Sequence, residues 1–299
     1  MKERILEIAL KQGFSAFGVA RCHAVSPEAA ERSRRWLDAG MNGCLDYMER
    51  YSDLRLDPSA LLEGCCSVIV MAASYYFNEN QSSSDARIAR YARGDDYHEV
   101  LRRLASPITD FLASQGHTSR ICVDTAPIPE RYWAVEAGVG FIGRNGCLIV
   151  PGIGSYCFLT LLLTDAPLEP DEPCSGSCAG CGACLKSCPS GALQSDGLID
   201  CRRCLSCLTI EYRGDFPDDF NTGGRVFGCD TCQDVCPHNR NIPESLISEF
   251  RMRDAVRDLT IDRILEMEQP EFSSIFTHSA VKRTKLAGLR RNAAHADKR

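Results

Sequence analysis

The sequence predicts an α/β domain over residues 1–165, a small cysteine-bound domain over 166–241 and a helical tail over 242–299. Three observations carry this division. Helix-periodic segments alternate with short apolar runs up to about residue 165, two cysteine runs face each other across an insert within 178–237, and helical periodicity resumes past Asn241. At 299 residues, with 44% hydrophobic and 25% charged side chains, the chain can bury one large core or two smaller ones.

The opening MKERILEIALKQG reads as an amphipathic helix over 2–12, followed by a strand at 16–20 and a helix containing Trp36 and Leu37. After the turn in RLDPSALLEG, SVIVMAASYYF is β-branched and aromatic and reads as a central strand. QSSSD at 81–85 is a polar loop. Helical spacing runs from about Asp96 to Ser114 and stops at Gly116, and a short strand over 120–123 ends at Asp124. Pro129 can begin a helix that Gly138 ends, with a glycine-bearing tight loop over 143–146. CLIV and SYCFLTLLL then read as a hairpin. The acidic, proline-containing stretch 165–173 marks the boundary with the cysteine domain.

The first cysteine run, CAGCGACLKSCP, places Cys178, Cys181, Cys184 and Cys188 at C-x2-C-x2-C-x3-C before Pro189, the bacterial ferredoxin spacing for iron–sulfur ligation. The second, CDTCQDVCP, offers Cys229, Cys232 and Cys236 before Pro237, three of the four thiolates a cubane needs. Zinc knuckles usually come as two separated pairs, whereas consecutive short gaps fold around a cubane, so iron–sulfur is the reading. In two-cluster ferredoxins the fourth cysteine of a run ligates the other cluster. That crossing assigns Cys178, Cys181, Cys184 and Cys236 to cluster one. Cluster two takes Cys188, Cys229 and Cys232, with its last ligand drawn from Cys201, Cys204 or Cys207. Most other cysteines fall in apolar strands and are expected to be buried small hydrophobes, Cys174 and Cys201 lying nearer the metal. Two clusters in series move single electrons, so the α/β domain is expected to hold an acceptor.

Eighteen cysteines would suggest a disulfide scaffold in a short secreted chain, but no basic-then-apolar leader opens this one, and the reducing cytoplasm is expected. No apolar run approaches the roughly 18 residues of a membrane span, so no membrane association is expected. The net charge of −6 does not advertise a nucleic-acid partner. Residues 281–299, however, carry Lys282, Arg283, Lys285, Arg290, Arg291, Lys298 and Arg299 against Asp297 alone. On charge alone this is a solvated helix face, with tracking of a phosphate backbone the alternative.

The segment VDTAPIPERYWAVEAGVGFIGRNG, followed by GSYCFL, the two cysteine runs and RVFGCDTCQDVCPHNR, closely resembles the epoxyqueuosine reductase family. The resemblance extends from YARGDDYHEVLRRL through SAVKRTKLAGLRRNAAHA. It implies a nitroreductase-like α/β (α+β) cobalamin-binding domain, a ferredoxin-like domain with two 4Fe-4S clusters and a helical C-terminal tail. It implies conversion of epoxyqueuosine to queuosine at the wobble position of tRNA, with base-off cob(II)alamin fed by the clusters from an external low-potential donor. Carried over by position, the last ligand of cluster two falls on Cys204, and Asp124 matches the proton donor. Contacts to cobalamin fall on Arg55, Tyr91, Asp124, Leu148, Leu159, Ser206 and Asp230. Longer members continue into HEAT-like repeats where this chain ends at Arg299, so the resemblance shifts the grip on tRNA toward the basic tail or a partner.

Removing an epoxide oxygen as water calls for an acid, and burial beside a corrin is expected to raise the Asp124 pKa and keep it protonated. A lone Asp before Thr is otherwise a turn or helix cap. His98 and His238 read as structural or substrate-facing, since no D-x-H-x-x-G motif accompanies them. Tyr132 and Trp133 are candidates to stack on an unstacked anticodon base, with core packing expected for at least one. A reductive dehalogenase-like corrinoid enzyme and a non-catalytic ferredoxin-type carrier are the competing readings. The first commonly has an export signal, and the second hardly needs 165 residues of α/β domain.

Overall fold

The run Ser67–Ser74 is apolar between its two terminal serines because it is covered on both faces, every one of its residues being buried. The computed structural model describes residues 1–82 and 85–296, so part of the polar loop at 81–85 lies outside the described residues, as do Asp297, Lys298 and Arg299. The N-terminal elements are α1 (Lys2–Lys11), β1 (Ala16–Arg21), α2 (Pro27–Asp38), α3 (Asp46–Arg50), β2 (Ser67–Ser74), β3 (Arg87–Ile88), α4 (Tyr97–Ser114), β4 (Ser119–Cys122), α5 (Glu130–Glu136), β5 (Phe141–Ile142), β6 (Leu148–Ile149) and β7 (Cys157–Thr164). They are followed by α6 (Ala183–Ser187), α7 (Leu205–Ile210), β8 (Arg225–Phe227), α8 (Thr231–Asp234), α9 (Asp254–Arg257), α10 (Ile261–Glu266), α11 (Gln269–Ile275) and α12 (Lys285–Ala294).

The main sheet is antiparallel throughout, in the order β1-β2-β7-β4, with Val70 of β2 opposite Gly18 of β1 and Leu161 of β7. Alternate residues of β2 serve two cores, as the period of a strand requires. Ile69, Met71 and Ala73 pack with Ile5, Leu101 and Ile108 of α1 and α4, while Val68, Val70 and Ala72 pack with Trp133 and Ala134 of α5. Gly18 is needed where α5 ends against β1. A Cβ there would stand 1.9 Å from the Ala137 carbonyl oxygen. Asp96 caps α4 by accepting from the His98 N–H at 3.0 Å.

The expected hairpin of CLIV with SYCFLTLLL does not form. Leu148 and Ile149 pair with Phe141 and Ile142 around the glycine loop, which frees the longer apolar strand β7 to be central between β2 and β4. The boundary stretch is pinned rather than loose: Asp171 Oδ2 accepts from the Val19 N–H at 2.9 Å and Leu168 N donates to Ser67 Oγ at 3.0 Å.

β3 and β8 form a two-stranded parallel ribbon that joins the first half of the chain to the cysteine half. Ala89 N donates to Phe227 O at 2.8 Å and Arg90 N to Asp230 Oδ2 at 2.6 Å. The C-terminal helices close a third core on this ribbon, with Val256, Ile264, Phe276 and Leu289 packed around Ile88 and Phe227. Part of the basic tail is consumed in that packing. Arg290 donates to the Met267 carbonyl, and Arg291 donates to the Tyr212 carbonyl at 2.8 Å while lying over the Phe216 ring. Lys282, Arg283 and Lys285 remain exposed. Among the described residues no helix is long and apolar enough to cross a membrane.

Candidate active site and metal centres

Gly180 and Gly182, at φ +68° and +69°, let the first cysteine run curl before α6 begins. Cys178, Cys181 and Cys184 thereby line one cavity, and the fourth thiol in its wall is Cys236 from the second run. Asn145 and His238 share the lining. The His238 Nε2 is buried without a protein partner, which suits a donor facing an anionic sulfide. Among the described residues no three His, Cys, Asp or Glu groups converge as they would on a single ion; these thiols surround a space.

The second set assembles around the Cys229 turn. Cys204, Cys229 and Cys232 lie close enough for their charges to act on one another. Cys201 and Cys207 turn instead toward each other, with Cys207 Sγ 3.7 Å from Cys44 Sγ. Cys188 follows α6. Burial works against its thiolate, but the backbone N–H groups of Leu193, Ala192 and Ser190 outweigh that and hold the thiol below its usual range. The expectation that the remaining cysteines are mostly buried needs correction: Cys122 and Cys207 are, whereas Cys22, Cys44, Cys65, Cys147, Cys157, Cys174 and Cys201 are half-buried and Cys66 is exposed.

Asp124 follows β4 with φ +54°, a left-handed backbone that Asp tolerates better than most residues. Its N–H donates to Glu130 Oε1 at 2.6 Å, which fixes the turn. Its carboxylate Oδ2 accepts from the Tyr97 hydroxyl at 2.7 Å and faces His98 Nε2 at 3.3 Å. The other ring nitrogen of His98 meets Asp96 Oδ1 at 2.8 Å. Tyr97 is held flat by stacking on Phe158, ring centroids 4.4 Å apart.

Burial pushes the Asp124 carboxyl up, but the hydrogen bonds from His98 and Tyr97 outweigh it, and the net shift is downward. The expected rise is thus reversed. For His98, burial opposes the charge, while the bonds to Asp124 and Asp96 raise it to about 9. Burial first, then the nearby Asp124 charge, carries Glu130 up to about 8. Near neutral pH the protons of this site therefore reside on His98 and Glu130, neither of which the sequence singled out for the role.

The other site residues divide into three groups. Arg55, whose buried Nε lacks a protein partner, and Tyr91 both lie within electrostatic reach of Asp124. Leu148 and Leu159 meet in one apolar cluster beside α5. Ser206 lies two residues past Cys204, and Asp230 accepts from Arg90 N and from Gln233 Nε2 at 3.2 Å, which occupies both of its oxygens at the inter-half joint. Trp133 is fully buried, so it is core and no stacking platform, and the Tyr132 hydroxyl accepts from Ser26 N at 3.1 Å.

A cavity ringed by four cysteines, a second thiol set and a carboxylate–imidazole pair define an iron–sulfur oxidoreductase on a mixed α+β scaffold. Residues 177–239 match the family described as "4Fe-4S double cluster binding domain", and residues 55–125 match "Epoxyqueuosine reductase QueG, DUF1730". The epoxyqueuosine reductase of Cellulophaga algicola is 36% identical over 95% of this chain and 94% of its own length. A crystal structure of epoxyqueuosine reductase with an epoxyqueuosine-modified tRNA-Tyr stem loop superposes with a TM-score of 0.89 at 29% identity, covering 98% of this chain and 79% of that one. The enzyme from Bacillus subtilis, described with its aspartate-bearing catalytic loop swung out of the active site, superposes with a TM-score of 0.86 at 29% identity, covering 98% and 79%. The chain belongs to the epoxyqueuosine reductase family.

Proposed function

We propose that the protein reduces epoxyqueuosine to queuosine in the anticodon loop of tRNA, in the reducing cytoplasm, with electrons from an external low-potential donor. The observation that carries this reading is the match over nearly full length to enzymes of that activity, one of them described with a modified stem loop, together with a left-handed Asp124 held by Tyr97 and His98.

Cys178, Cys181, Cys184 and Cys236 would hold cluster one, and Cys188, Cys204, Cys229 and Cys232 cluster two. The buried, unpartnered Arg55 Nε beside Asp124 is a donor without an acceptor, which fits a polar-edged corrinoid in the cleft. Arg55, Tyr91, Asp124, Leu148, Leu159, Ser206 and Asp230 would hold that cobalamin. When bound, clusters and corrinoid supply low-potential electrons one at a time.

Loss of the epoxide oxygen as water, leaving a carbon–carbon double bond, consumes two electrons and two protons. Asp124 orients the reacting oxygen and passes on a proton that His98 holds, and Asp96 keeps the imidazole in position for the transfer. Glu130 fixes the Asp124 turn by accepting the Asp124 N–H on its carboxyl oxygen, and stores a second proton beside it.

The test is anaerobic reconstitution with iron, sulfide and cobalamin, followed by reaction with an epoxyqueuosine stem loop. Conversion to queuosine supports the reading; a reconstituted protein with both clusters and corrinoid that leaves the stem loop untouched overturns it.

A further inference from the structure

Resting on the assignment of Cys229 to cluster two, we propose that the Thr231 hydroxyl, held by Arg225, donates a hydrogen bond to the Cys229 sulfur and raises the reduction potential of that cluster. Thr231 Oγ1 lies 3.4 Å from Cys229 Sγ and 2.7 Å from Arg225 Nη2. A guanidinium has only donors, so at this contact the hydroxyl oxygen accepts and its own proton is left for another acceptor. A ligating cysteine is a thiolate with no proton to give, and its sulfur is an acceptor within reach. The bond therefore runs from Arg225 through Thr231 to Cys229.

The surrounding backbone holds the three groups in that order. Gly228, at φ +74°, turns the chain into Cys229, and its N–H donates to Oγ1 of the buried Thr209 at 2.9 Å. On the other side Asp230 accepts from Arg90 N at 2.6 Å, so the turn carrying Cys229 and Thr231 is pinned from two elements. Arg225 sits on β8, where its Nη1 donates to the Gly223 carbonyl at 3.3 Å and leaves Nη2 for the threonine. Arg225, Cys229 and Thr231 are all half-buried, where water competes less for these bonds. A one-electron reduction adds one negative charge to a cluster and its sulfurs, so a donor bond to a ligand sulfur is stronger in the reduced state and favours it. The cation behind the hydroxyl polarises the bond in the same direction. Thr231 is thus the tuning group, and Arg225 is a positioning residue that acts through it.

The test is a redox titration of the reconstituted full chain followed by EPR, with cluster one as the internal reference. Thr231→Val keeps the shape and removes the hydroxyl. It should move the midpoint of cluster two to more negative potential, lowering its reduced-to-oxidised ratio at a fixed potential roughly 2- to 10-fold, the range for one hydrogen bond, and leave cluster one where it was. Thr231→Ser should stay with the parent. Arg225→Met should move cluster two the same way and add little in the Thr231→Val background, because both changes act through one bond. If Thr231→Val does not load both clusters, Thr231→Ala and Arg225→Met are titrated in its place. A cluster-two midpoint that stays with the parent in these variants overturns the donor, and equal shifts from Arg225→Met in both backgrounds overturn its action through Thr231. The ligand assignment fails separately, if Cys229→Ala leaves both clusters in place. So does the functional reading, if the loaded parent never converts the stem loop.

Discussion

His98 Nε2 stands 3.3 Å from Asp124 Oδ2 while its Nδ1 stands 2.8 Å from Asp96 Oδ1, so one imidazole spans two carboxylates. Both ring nitrogens face acceptors, which favours the doubly protonated ring and accounts for the rise to about 9.

That rise sets a pH dependence with a definite sign. Asp96, Asp124, Tyr97, Arg102, Glu130 and Arg283 all act on this pair, and the carboxylates dominate for His98. Turnover should fall as pH rises through about 8, where Glu130 loses its proton, and further through about 9, where His98 does; His98→Asn should remove the second step while lowering kcat/KM by about 100-fold or more. Stability follows the same linkage: the contribution of His98 is full below about 6.5 and is lost as pH rises through about 9. Thermal unfolding between pH 7 and 10 checks it, with a smaller drop in Tm expected for His98→Asn.

Asp124 combines chemistry with an uncommon backbone, and two substitutions separate them. Asp124→Asn keeps a residue that accepts φ +54° and should fold normally while losing about 100-fold or more in rate. Asp124→Val, β-branched at the same φ, should lose about 1–2 kcal/mol of stability as well. Chemical denaturation and single-turnover assays on the same preparations read both.

The cavity that unites Cys236 with the first cysteine run predicts which cluster each thiol serves. Cys236→Ala should remove the EPR signal of the cluster held by Cys178, Cys181 and Cys184 and spare the other. Cys204→Ala should do the reverse. A Cys236→Ala protein with both signals intact would reject the crossing.

Gly18 meets the carbonyl end of α5 so closely that even a methyl group must push it away. Gly18→Ala should destabilise the fold by about 1–3 kcal/mol, seen as a lower denaturation midpoint with unchanged cluster ligation.

Periodicity revealed α4 with its Asp96 cap, the buried strand β2 and the helix opened by Pro129, because each depends on local signals within one segment. Strand pairing was less legible. An apolar run such as CFLTLLLT announces burial but not its neighbours, and β7 took β2 and β4 rather than the nearby CLIV. Cysteine spacing revealed the metal chemistry at once, whereas the partnership of Cys236 with the first run is visible in residue order only through ferredoxin precedent. The proton inventory was read with the wrong sign at Asp124. Sequence shows an Asp before Thr, but not that Tyr97 and His98 arrive on the first turn of a helix and donate to it. The DYH triplet held the signal, since a capping Asp fixes where the next side chains of that turn lie.

The ribbon of β3 with β8 bears on engineering. Because a strand from the first half is hydrogen-bonded to one from the cysteine half, and Arg90 is tied by its backbone to Asp230, the redox module cannot be lifted out as an interchangeable cartridge. Cutting the gene at residue 165 would give two fragments, each with an unpaired edge and an opened core. A donor-swapped chimera would have to graft the loop carrying β3 together with the cysteine half, and the alignment of the electron path with Asp124 would travel with that loop.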